Sequence, residues 1–422
     1  MTRALLAANR RTLASLRRHR NYRLFFSGQV VSVTGTWMQN VATAWLVLEL
    51  TRSPVAVGVL ALCQFLPFTL LSLPAGVLLD RMDARRTVVV TQVLSMVFAA
   101  VLAALTLGGL VTVWQVYLVA ALRGSVLVLD NPARQALTFE MVGRTELPNA
   151  VALNSTLFNA ARIVGPALGG ALVATVGVGA CFALNAASFV AVLAGLLAMR
   201  SGELHPRDRT SDAGLVRGVR EAAAYVRATP TVAVVLGSVL VVSMLGFNFH
   251  VLLPVLARQT LAAGPETFGI LSGCFGAGAL LGALVNASRA RASARAFLVG
   301  TAAFGLAELA LAPLHSLVGA GAVLVAVGAA FTTWTSNANA TIQLAAPEAL
   351  RGRVLSLYFL AFNGSMPLGG ILAGWLASSG GTELAFAVGG AGALASALVG
   401  LVLLDGRAKR RSPAAALAAR AR

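Results

Sequence analysis

The chain has 422 residues, of which 58% are hydrophobic and only 11% are charged. A soluble domain carries roughly 25% charged residues, so this chain cannot cover a water-facing surface and its solvent must be lipid. Its net charge of +18 suggests nucleic-acid binding, but the basic residues form short clusters between apolar runs, a pattern that indicates membrane orientation. We therefore predict an integral membrane protein that has the lipid bilayer, and no nucleic acid, as a partner.

Apolar stretches long enough to span a bilayer, about 20 residues, recur along the sequence and predict twelve helices. The basic N-terminus leads into an apolar stretch that runs to about Leu50 without a clear small-residue cleavage site. We interpret it as a retained first helix and not as a signal peptide. The predicted spans are 23–49, 55–79, 87–108, 112–132, 149–176, 179–199, 231–257, 266–287, 295–313, 316–342, 353–378 and 383–404.

The basic residues predict an orientation. With the N-terminus inside, all but four of the 33 lysines and arginines lie in cytosolic segments; Arg52 and Arg258 lie outside, and Arg123 and Arg162 fall within helices. This asymmetry favours cytoplasmic N- and C-termini and supports the helix count. The scarcity of lysine beside abundant arginine, alanine and glycine is typical of a GC-rich bacterium, so we predict a multi-pass protein of the bacterial cell (inner or plasma) membrane.

A polar segment at 200–230, with a short amphipathic helix near Leu215 to Val226, divides the chain into two halves. The two halves contain similar sequence motifs in the same order. Gly165-Pro166-Ala167-Leu168-Gly169-Gly170 in the first half is repeated as Met366-Pro367-Leu368-Gly369-Gly370 in the second. Duplicated halves with Gly- and Pro-rich helices are typical of transporters. The predicted fold is all-α integral membrane, with twelve transmembrane helices in two pseudo-symmetric six-helix bundles. The predicted domains are a cytosolic N-terminus (1–22), the N-terminal bundle (23–199), a cytosolic linker (200–230), the C-terminal bundle (231–404) and a basic tail (405–422).

The loop after the second predicted helix reads Gly76-Val77-Leu78-Leu79-Asp80-Arg81-Met82-Asp83-Ala84-Arg85-Arg86. It resembles the signature loop of the major facilitator superfamily, in which a Gly and three residues precede Asp-Arg and an Arg cluster. Asp83 stands where that signature prefers Gly and Ala84 where Arg is common, and the Asp resembles a branch of bacterial drug and siderophore exporters that includes the enterobactin-exporter type. The resemblance implies a major facilitator fold and a cytosolic gate whose charge contacts form in one conformation and break in the other; simple orientation charge is the alternative. The implied gate residues are Gly76, Asp80, Arg81, Arg85, Arg86 and Asp130, with Asp130 paired to Arg81 as in related exporters.

Two arginines and one acid lie within predicted helices. A charge at that depth is expensive and faces a cavity or a partner. Arg123 with Gly124 resembles the superfamily's helix 4 signature, which is implicated in proton coupling, and the stretch around Arg162 resembles the same exporter branch. These arginines are candidates for coupling or for an anionic substrate group, and structural ion pairing is the alternative. Glu308 is a protonation candidate, because a protonated carboxyl in lipid loses its charge.

The first-half Gly-Pro segment resembles the motif of proton antiporters that export drugs, with Gly165, Pro166, Gly169 and Gly170 as its residues. Glycines allow a close helix neighbour and proline bends the helix; ordinary helix packing is the alternative. Predicted helices 1, 4, 7 and 10 match those that line the cavity in the superfamily. The cavity candidates are Trp37, Gln39, Asn40, Asn248, His250, Trp334 and Asn337, and this mixture of aromatic rings and amides suits an apolar or amphiphilic substrate.

The sequence has no Gly-rich nucleotide loop with Lys-Ser/Thr, no clustered metal ligands and no nucleophile triad. We therefore predict that the chain is not an enzyme, has no cofactor and uses an ion gradient. The predicted function is proton antiport that exports a small lipophilic or amphiphilic compound, such as a drug, siderophore or secondary metabolite, by alternating access. The resemblance implies a monomer. An importer of the same fold and a non-transporting membrane sensor or assembly protein are the alternatives.

Overall fold

The computed structural model describes residues 13–80, 82–205, 215–288 and 293–410, and within these ranges it consists of helices and connecting turns with no β-strand. The helices form two compact units. The first unit comprises the described residues of Met1–Ser211 together with Leu256–Gly273, and the second comprises those of Asp212–Val255 and Cys274–Arg422. The domain boundaries predicted from the sequence stay a prediction.

The first unit begins with a short helix and continues with five longer ones. Helices α2 and α6 pack against each other and both pack against α5, while α3 packs on α5 and α4 packs on α6. The bounds are α1 (Ala14–Arg18), α2 (Arg20–Thr51), α3 (Pro54–Asp80), α4 (Ala84–Leu107), α5 (Val113–Val176) and α6 (Val178–Leu197).

Residues 133–148, where the sequence predicts a polar loop between two helices, are helical on both sides of a single kink in α5. The reason lies in its apolar face, because Ala133, Leu137 and Met141 recur every four residues and are buried against Tyr22 and its neighbours; burial of such a stripe stabilises a helix. The helix breaks instead at Gly143, whose φ is 67° and ψ is 179°. Glycine adopts this left-handed φ without steric cost.

The second unit contains the remaining helices. Helix α11 packs between α12 and α14, and α14 also packs on α8. The bounds are α7 (Leu215–Ala228), α8 (Pro230–Leu245), α9 (Phe249–Val255), α11 (Ala294–Leu311), α12 (Leu317–Ala345), α13 (Glu348–Asn363) and α14 (Met366–Arg410). Helix α10 (Pro265–Ser288) is divided between the units after Gly273. Helix α7 matches the predicted amphipathic helix and is held by a hydrogen bond of 2.6 Å from Tyr225 Oη to the Ala345 carbonyl.

The span predicted at 231–257 corresponds to one segment that is long and apolar enough to cross a membrane, Pro230–Thr260, but this segment is not one continuous α-helix. It breaks after Leu245, where the Asn248 Nδ2 donates to the Met244 carbonyl over 2.8 Å and thereby satisfies a backbone acceptor that the helix end leaves open. Beyond α9 the backbone forms a π-helix at Leu256–Thr260. Pro254, which has no N–H for the helical ladder, lies just before it.

Nine helices within the described residues are long and apolar enough to cross a membrane. Two of them, Val113–Val176 with 64 residues and Leu350–Leu404 with 55, far exceed the roughly 20 residues that one crossing needs. The second of these contains a break at Gly380 and Gly381, where φ of Gly381 is 72°. The chain is therefore a multi-pass membrane protein, and the count of twelve crossings stays a prediction.

Candidate coupling and substrate sites

The signature loop connects α3 to α4. Gly76 and Asp80 lie on α3, which ends at Asp80, and Arg81 lies outside the described residues. Asp83 caps α4 by accepting from the Arg86 backbone N–H over 2.7 Å, which satisfies one of the donors at a helix start. Arg85 donates to the Leu196 carbonyl from Nε over 3.1 Å and from Nη2 over 2.7 Å. Arg85 thus ties the start of α4 to the carbonyl end of α6, where a cation is favourable.

Asp130 lies at the centre of a buried polar network in the first unit. Its side chain accepts from Thr91 Oγ1 over 2.5 Å and from Gln92 Nε2 over 3.0 Å. It also forms an ion pair of 2.5 Å with Arg134 Nε, and Arg134 in turn donates to Gln29 Oε1. The partner expected from the exporter resemblance is Arg81, which lies outside the described residues, so that pairing stays a prediction. Among the described residues, Asp130 pairs with Arg134, one turn further along α5.

Arg123 lies on α5 and is nine-tenths buried. Its Nη1 donates to Asn40 Oδ1 on α2 over 3.1 Å. Among the described residues no Asp or Glu side chain forms an ion pair with it. A buried cation held by a neutral amide keeps its charge uncompensated, which is costly unless another group supplies the counter-charge.

Arg162, on the second half of α5, contacts aromatic rings. Its Cζ lies 5.5 Å from the Trp37 ring centroid and 5.9 Å from that of Phe158, within the range of cation–π attraction. The two rings pack edge to face with centroids 5.6 Å apart. The structure thus brings Trp37 and Asn40, two predicted cavity residues on α2, into contact with the two arginines on α5.

The glycines of the Gly-Pro segment allow backbones to approach closely. A Cβ on Gly169 would lie 2.9 Å from the Met38 carbonyl oxygen, and one on Gly170 would lie 2.5 Å from the Pro265 carbonyl oxygen. A Cβ on Gly165 would overlap the Trp37 side chain. Pro166 lies inside α5 and is buried. This segment therefore seats α5 against α2 on one side and against the start of α10 on the other.

Glu308 on α11 is fully buried in the second unit, and both of its carboxyl oxygens lack a hydrogen-bond partner among the described residues. Oε2 lies 2.7 Å from the Cβ position of Gly246 and 2.9 Å from that of Gly389, so the absence of two side chains makes room for the carboxyl at the break between α8 and α9. Ser243 Oγ and Asn248 Oδ1, on either side of that break, are also buried without a partner in the described part of the chain. Unsatisfied buried polar groups are rare and mark sites that store strain or exchange protons and ligands.

Aromatic rings surround this break. Phe247 stacks on Phe331 with centroids 4.4 Å apart, and Phe304, one turn from Glu308, lies 5.7 Å from Trp334. The cluster also includes Phe249, Phe275, Tyr358, Phe362 and Phe386. Sequence reasoning placed Phe247, Phe249, Phe331 and Trp334 on predicted cavity-lining helices. It missed the rings of the cluster on α10, α11, α13 and α14, because no spacing reveals that these four helices meet here.

The other predicted cavity residues have separate partners. Gln39 accepts from Asn185 Nδ2 and is buried, and Asn337 donates to the Thr333 carbonyl over 2.8 Å. His250 is partly buried at the start of α9. The side chains predicted to line one cavity therefore fall into two groups, Trp37, Gln39 and Asn40 in the first unit and Asn248, His250, Trp334 and Asn337 in the second.

Comparison with known proteins identifies the family. A family model described as transmembrane secretion effector, of the major facilitator superfamily, matches residues 11–415. The chain is 26% identical over 355 residues to the staphyloferrin A transporter of Staphylococcus aureus, covering 82% of this chain and 87% of that one. It is 29% identical over 374 residues to the multidrug efflux pump Tap of Mycobacterium tuberculosis, covering 86% and 88% respectively.

Solved structures show the same fold. A bacterial homologue of the iron transporter ferroportin, in an inward-facing state, superposes with a TM-score of 0.72 at 15% identity, over 91% of this chain and 98% of that one. A nucleoside transporter, NupG, superposes with a TM-score of 0.69 at 13% identity. The all-α major facilitator fold predicted from the sequence is confirmed, and so is the prediction that the chain is not an enzyme, since its family and relatives are transporters. The chain belongs to the transmembrane secretion effector family of the major facilitator superfamily, within its drug and siderophore exporter branch, and it is a membrane transporter of a small molecule.

Proposed function

We propose that this transporter exports a small lipophilic or amphiphilic compound from the cytosol in exchange for protons, by alternating access. The names of its relatives, a multidrug efflux pump and a macrolide efflux protein among them, favour export over import. The arginine distribution favours cytoplasmic termini in a bacterial cell membrane. The protein would act as a monomer, with the proton gradient in place of any cofactor.

The observation on which this proposal rests is that the Glu308 carboxyl is fully buried without a hydrogen-bond partner among the described residues. A charged carboxylate without a partner is expensive inside a membrane protein, and no described side chain donates to either of its oxygens. The carboxyl therefore holds a proton in this conformation. Release of the proton requires an acceptor such as water to reach the carboxyl and a hydrogen-bond donor to stabilise the carboxylate that remains. The break between α8 and α9 can give this access when the helices move.

The gate would lie at the cytosolic end of the first unit. Asp80 and Arg81 would join the loop contacts implied by the family signature, while Arg85, Arg86 and Asp130 would fix the neighbouring helix ends. The network around Asp130 joins α4 and α5 directly and reaches α2 through Arg134 and Gln29, which supports a role for Asp130 in holding these three helices in one arrangement. Gly165, Pro166, Gly169 and Gly170 would set the packing of α5 during the change.

Uptake into inverted membrane vesicles tests the proposal. A panel of fluorescent lipophilic compounds is added with and without an imposed pH gradient, using the wild type, Glu308→Gln and the matched control Glu49→Gln, which changes an exposed acid at the end of α2. We expect gradient-dependent uptake that falls at least tenfold in Glu308→Gln and persists in Glu49→Gln.

The alternatives give different results. Accumulation in right-side-out vesicles only would reverse the direction and identify an importer. Uptake in which Glu308→Gln retains the wild-type response to the pH gradient would remove Glu308 from coupling and contradict the proposed mechanism. Asp80→Asn serves as a further comparison, because loss of uptake there with or without a gradient would implicate the gate and not the proton step.

A further inference from the structure

Two guanidinium groups, that of the buried Arg123 and that of the half-buried Arg162, contact one face of α2 in the first unit. Asn40 accepts from Arg123, and Trp37 lies beneath Arg162. Residues three apart lie on one face of a helix and differ in height by about 4.5 Å. The structure therefore brings both positive charges to the same turn of α2, although the two arginines are 39 residues apart on α5.

The charge of Arg123 has no compensating acid among the described residues. A guanidinium has five N–H donors, and the hydrogen bond to Asn40 satisfies one of them with a neutral acceptor. The nearest acid along α5, Asp130, is seven residues away, or about 10 Å along the helix axis, and it is engaged by Arg134, Thr91 and Gln92. Arg123 therefore has no counter-charge among the described residues, and a bound anion can supply one.

An aromatic surface adjoins the two charges. Trp37 and Phe158 both contact the Arg162 guanidinium, and 48% of the Phe158 side chain is exposed on this face of the unit. A face that carries arginine is unfavourable against lipid tails, so we expect it to face an aqueous path. Charge beside an exposed ring is the combination that recognises a molecule with an anionic end and an apolar body.

We propose that Arg123 and Arg162 bind the carboxylate group of an amphiphilic anion whose apolar part lies on Trp37 and Phe158. The substrate class is therefore an aromatic or aliphatic carboxylate, and this inference rests on the proposed export function. Arginine suits the role because its planar fork matches both oxygens of a carboxylate.

Membrane energetics agree with an anionic substrate. Outward movement of an anion and inward movement of a proton transfer charge in the same sense, so a membrane potential that is negative inside drives both. One elementary charge moved through 100 mV changes an accumulation ratio by roughly fifty-fold. Exchange of a monovalent cation for one proton would gain nothing from the potential.

Binding to the purified full-length protein tests the assignment without a proton gradient. The probes are 11-(dansylamino)undecanoate, the corresponding primary amide and the corresponding amine, which share one fluorophore and chain. The variants are Arg162→Gln, Arg123→Gln and Arg123→Lys. The matched control is Arg258→Gln, because Arg258 also lies over a tryptophan, with Cζ 5.3 Å from the Trp45 ring centroid, but away from Trp37 and Asn40.

We expect the wild type and Arg258→Gln to bind the carboxylate at least tenfold more tightly than the amide or the amine. Arg162→Gln and Arg123→Gln should lose that preference, while Arg123→Lys should retain part of it. Equal binding of the three probes by the wild type, or tighter binding of the amine, would overturn the proposal, whether or not each variant folds.

The vesicle uptake assay, run with the same three probes, distinguishes failure of this inference from failure of the proposed function. Selective carboxylate binding without pH-driven uptake would uphold the site and remove proton antiport. pH-driven uptake of neutral or cationic compounds without carboxylate preference would uphold antiport and remove the anion site.

Discussion

Asp130 in the first unit and Glu308 in the second are both buried carboxyl groups, but their surroundings are opposite. Asp130 is met by a hydroxyl, an amide and a guanidinium. Glu308 fits against two glycines and has no hydrogen-bond partner among the described residues. The described partners of Asp130 compensate the charge of a carboxylate, whereas the described surroundings of Glu308 offer it neither a donor nor a counter-charge.

The backbones differ in the same way. In the first unit α2 runs unbroken from Arg20 to Thr51 and carries the contacts to both arginines. In the second unit, the corresponding inner residues lie at a break between Leu245 and Phe249. The two units have similar helix patterns but differ at this place in the backbone. Our two proposals assign binding of the substrate charge to the first unit, where α2 is continuous, and binding of the proton to the second unit, where the helix is interrupted.

The largest expected difference between the units is in stability when each carboxyl is removed. Asp130→Ala leaves Arg134 and its neighbours without their counter-charge and should lower the free energy of unfolding by about 3 kcal/mol. Glu308→Met replaces an unsatisfied polar group by an apolar side chain of similar length and should be neutral or stabilising. Thermal and denaturant unfolding of both variants in detergent measures this contrast, and equal destabilisation would mean that Glu308 has a partner in the folded protein.

A second contrast uses the close glycine contacts. Gly170→Ala drives a Cβ against the Pro265 carbonyl and the Gly269 backbone, neither of which can move away cheaply, so we expect a loss of about 2 kcal/mol. Gly246→Ala instead meets the end of the Glu308 side chain. Its unfolding free energy should change by less, while pH-driven uptake should fall. Gly237→Ala, at a position with open space around it, is the control for helix propensity.

The sequence predicted the membrane class, the helical fold and most helix positions, because hydropathy and basic clusters are local signals. It also selected Asp130, Arg123, Arg162 and Glu308 as unusual charges within helices. It could not find Asn185 beside Gln39, or Phe275, Phe304 and Phe386 in the aromatic cluster, since those contacts depend on how distant helices pack. The continuity of α5 past Pro132 and the break before Asn248 were missed because burial and side-chain capping decide them.

A smaller effect is expected where Arg85 joins α4 to the carbonyl end of α6. Arg85→Ala removes four hydrogen bonds, two to the Leu196 carbonyl, one to the Leu197 carbonyl over 3.3 Å and one to Ser201 Oγ over 2.8 Å, all of them partly or fully solvent-exposed. We expect a loss of about 1 kcal/mol, confined to the first unit. The neighbouring exposed Arg86 provides the matched variant, Arg86→Ala, and a loss of equal size there would assign the effect to general surface charge.

The smallest expected effect concerns α1 of the first unit, which is docked by polar contacts, as α7 of the second unit is by the hydrogen bond of Tyr225 and the ion pair between Glu221 and Arg353. Ser15 N–H donates to Asn149 Oδ1 over 3.1 Å, and Arg18 forms an ion pair with Glu146. His19 follows, with its ring 6.4 Å from that of His205. Burial lowers the pKa of His19 from its ordinary 6.5; the Glu146 charge opposes this shift, and His205 and Arg18 add to it.

Because the pKa of His19 is lower when α1 is docked, the undocked chain binds more protons once the pH falls below about 6.5. Docking is therefore strongest above that pH and weakens as the pH falls towards the lowered pKa. Hydrogen exchange of residues 13–19, corrected for its intrinsic pH dependence, should rise as the pH is lowered from about 8 to about 5. The rise should be absent in His19→Gln, where no proton can bind. A rise of equal size in that variant would show that protonation of His19 does not cause the pH response, and it would contradict the prediction.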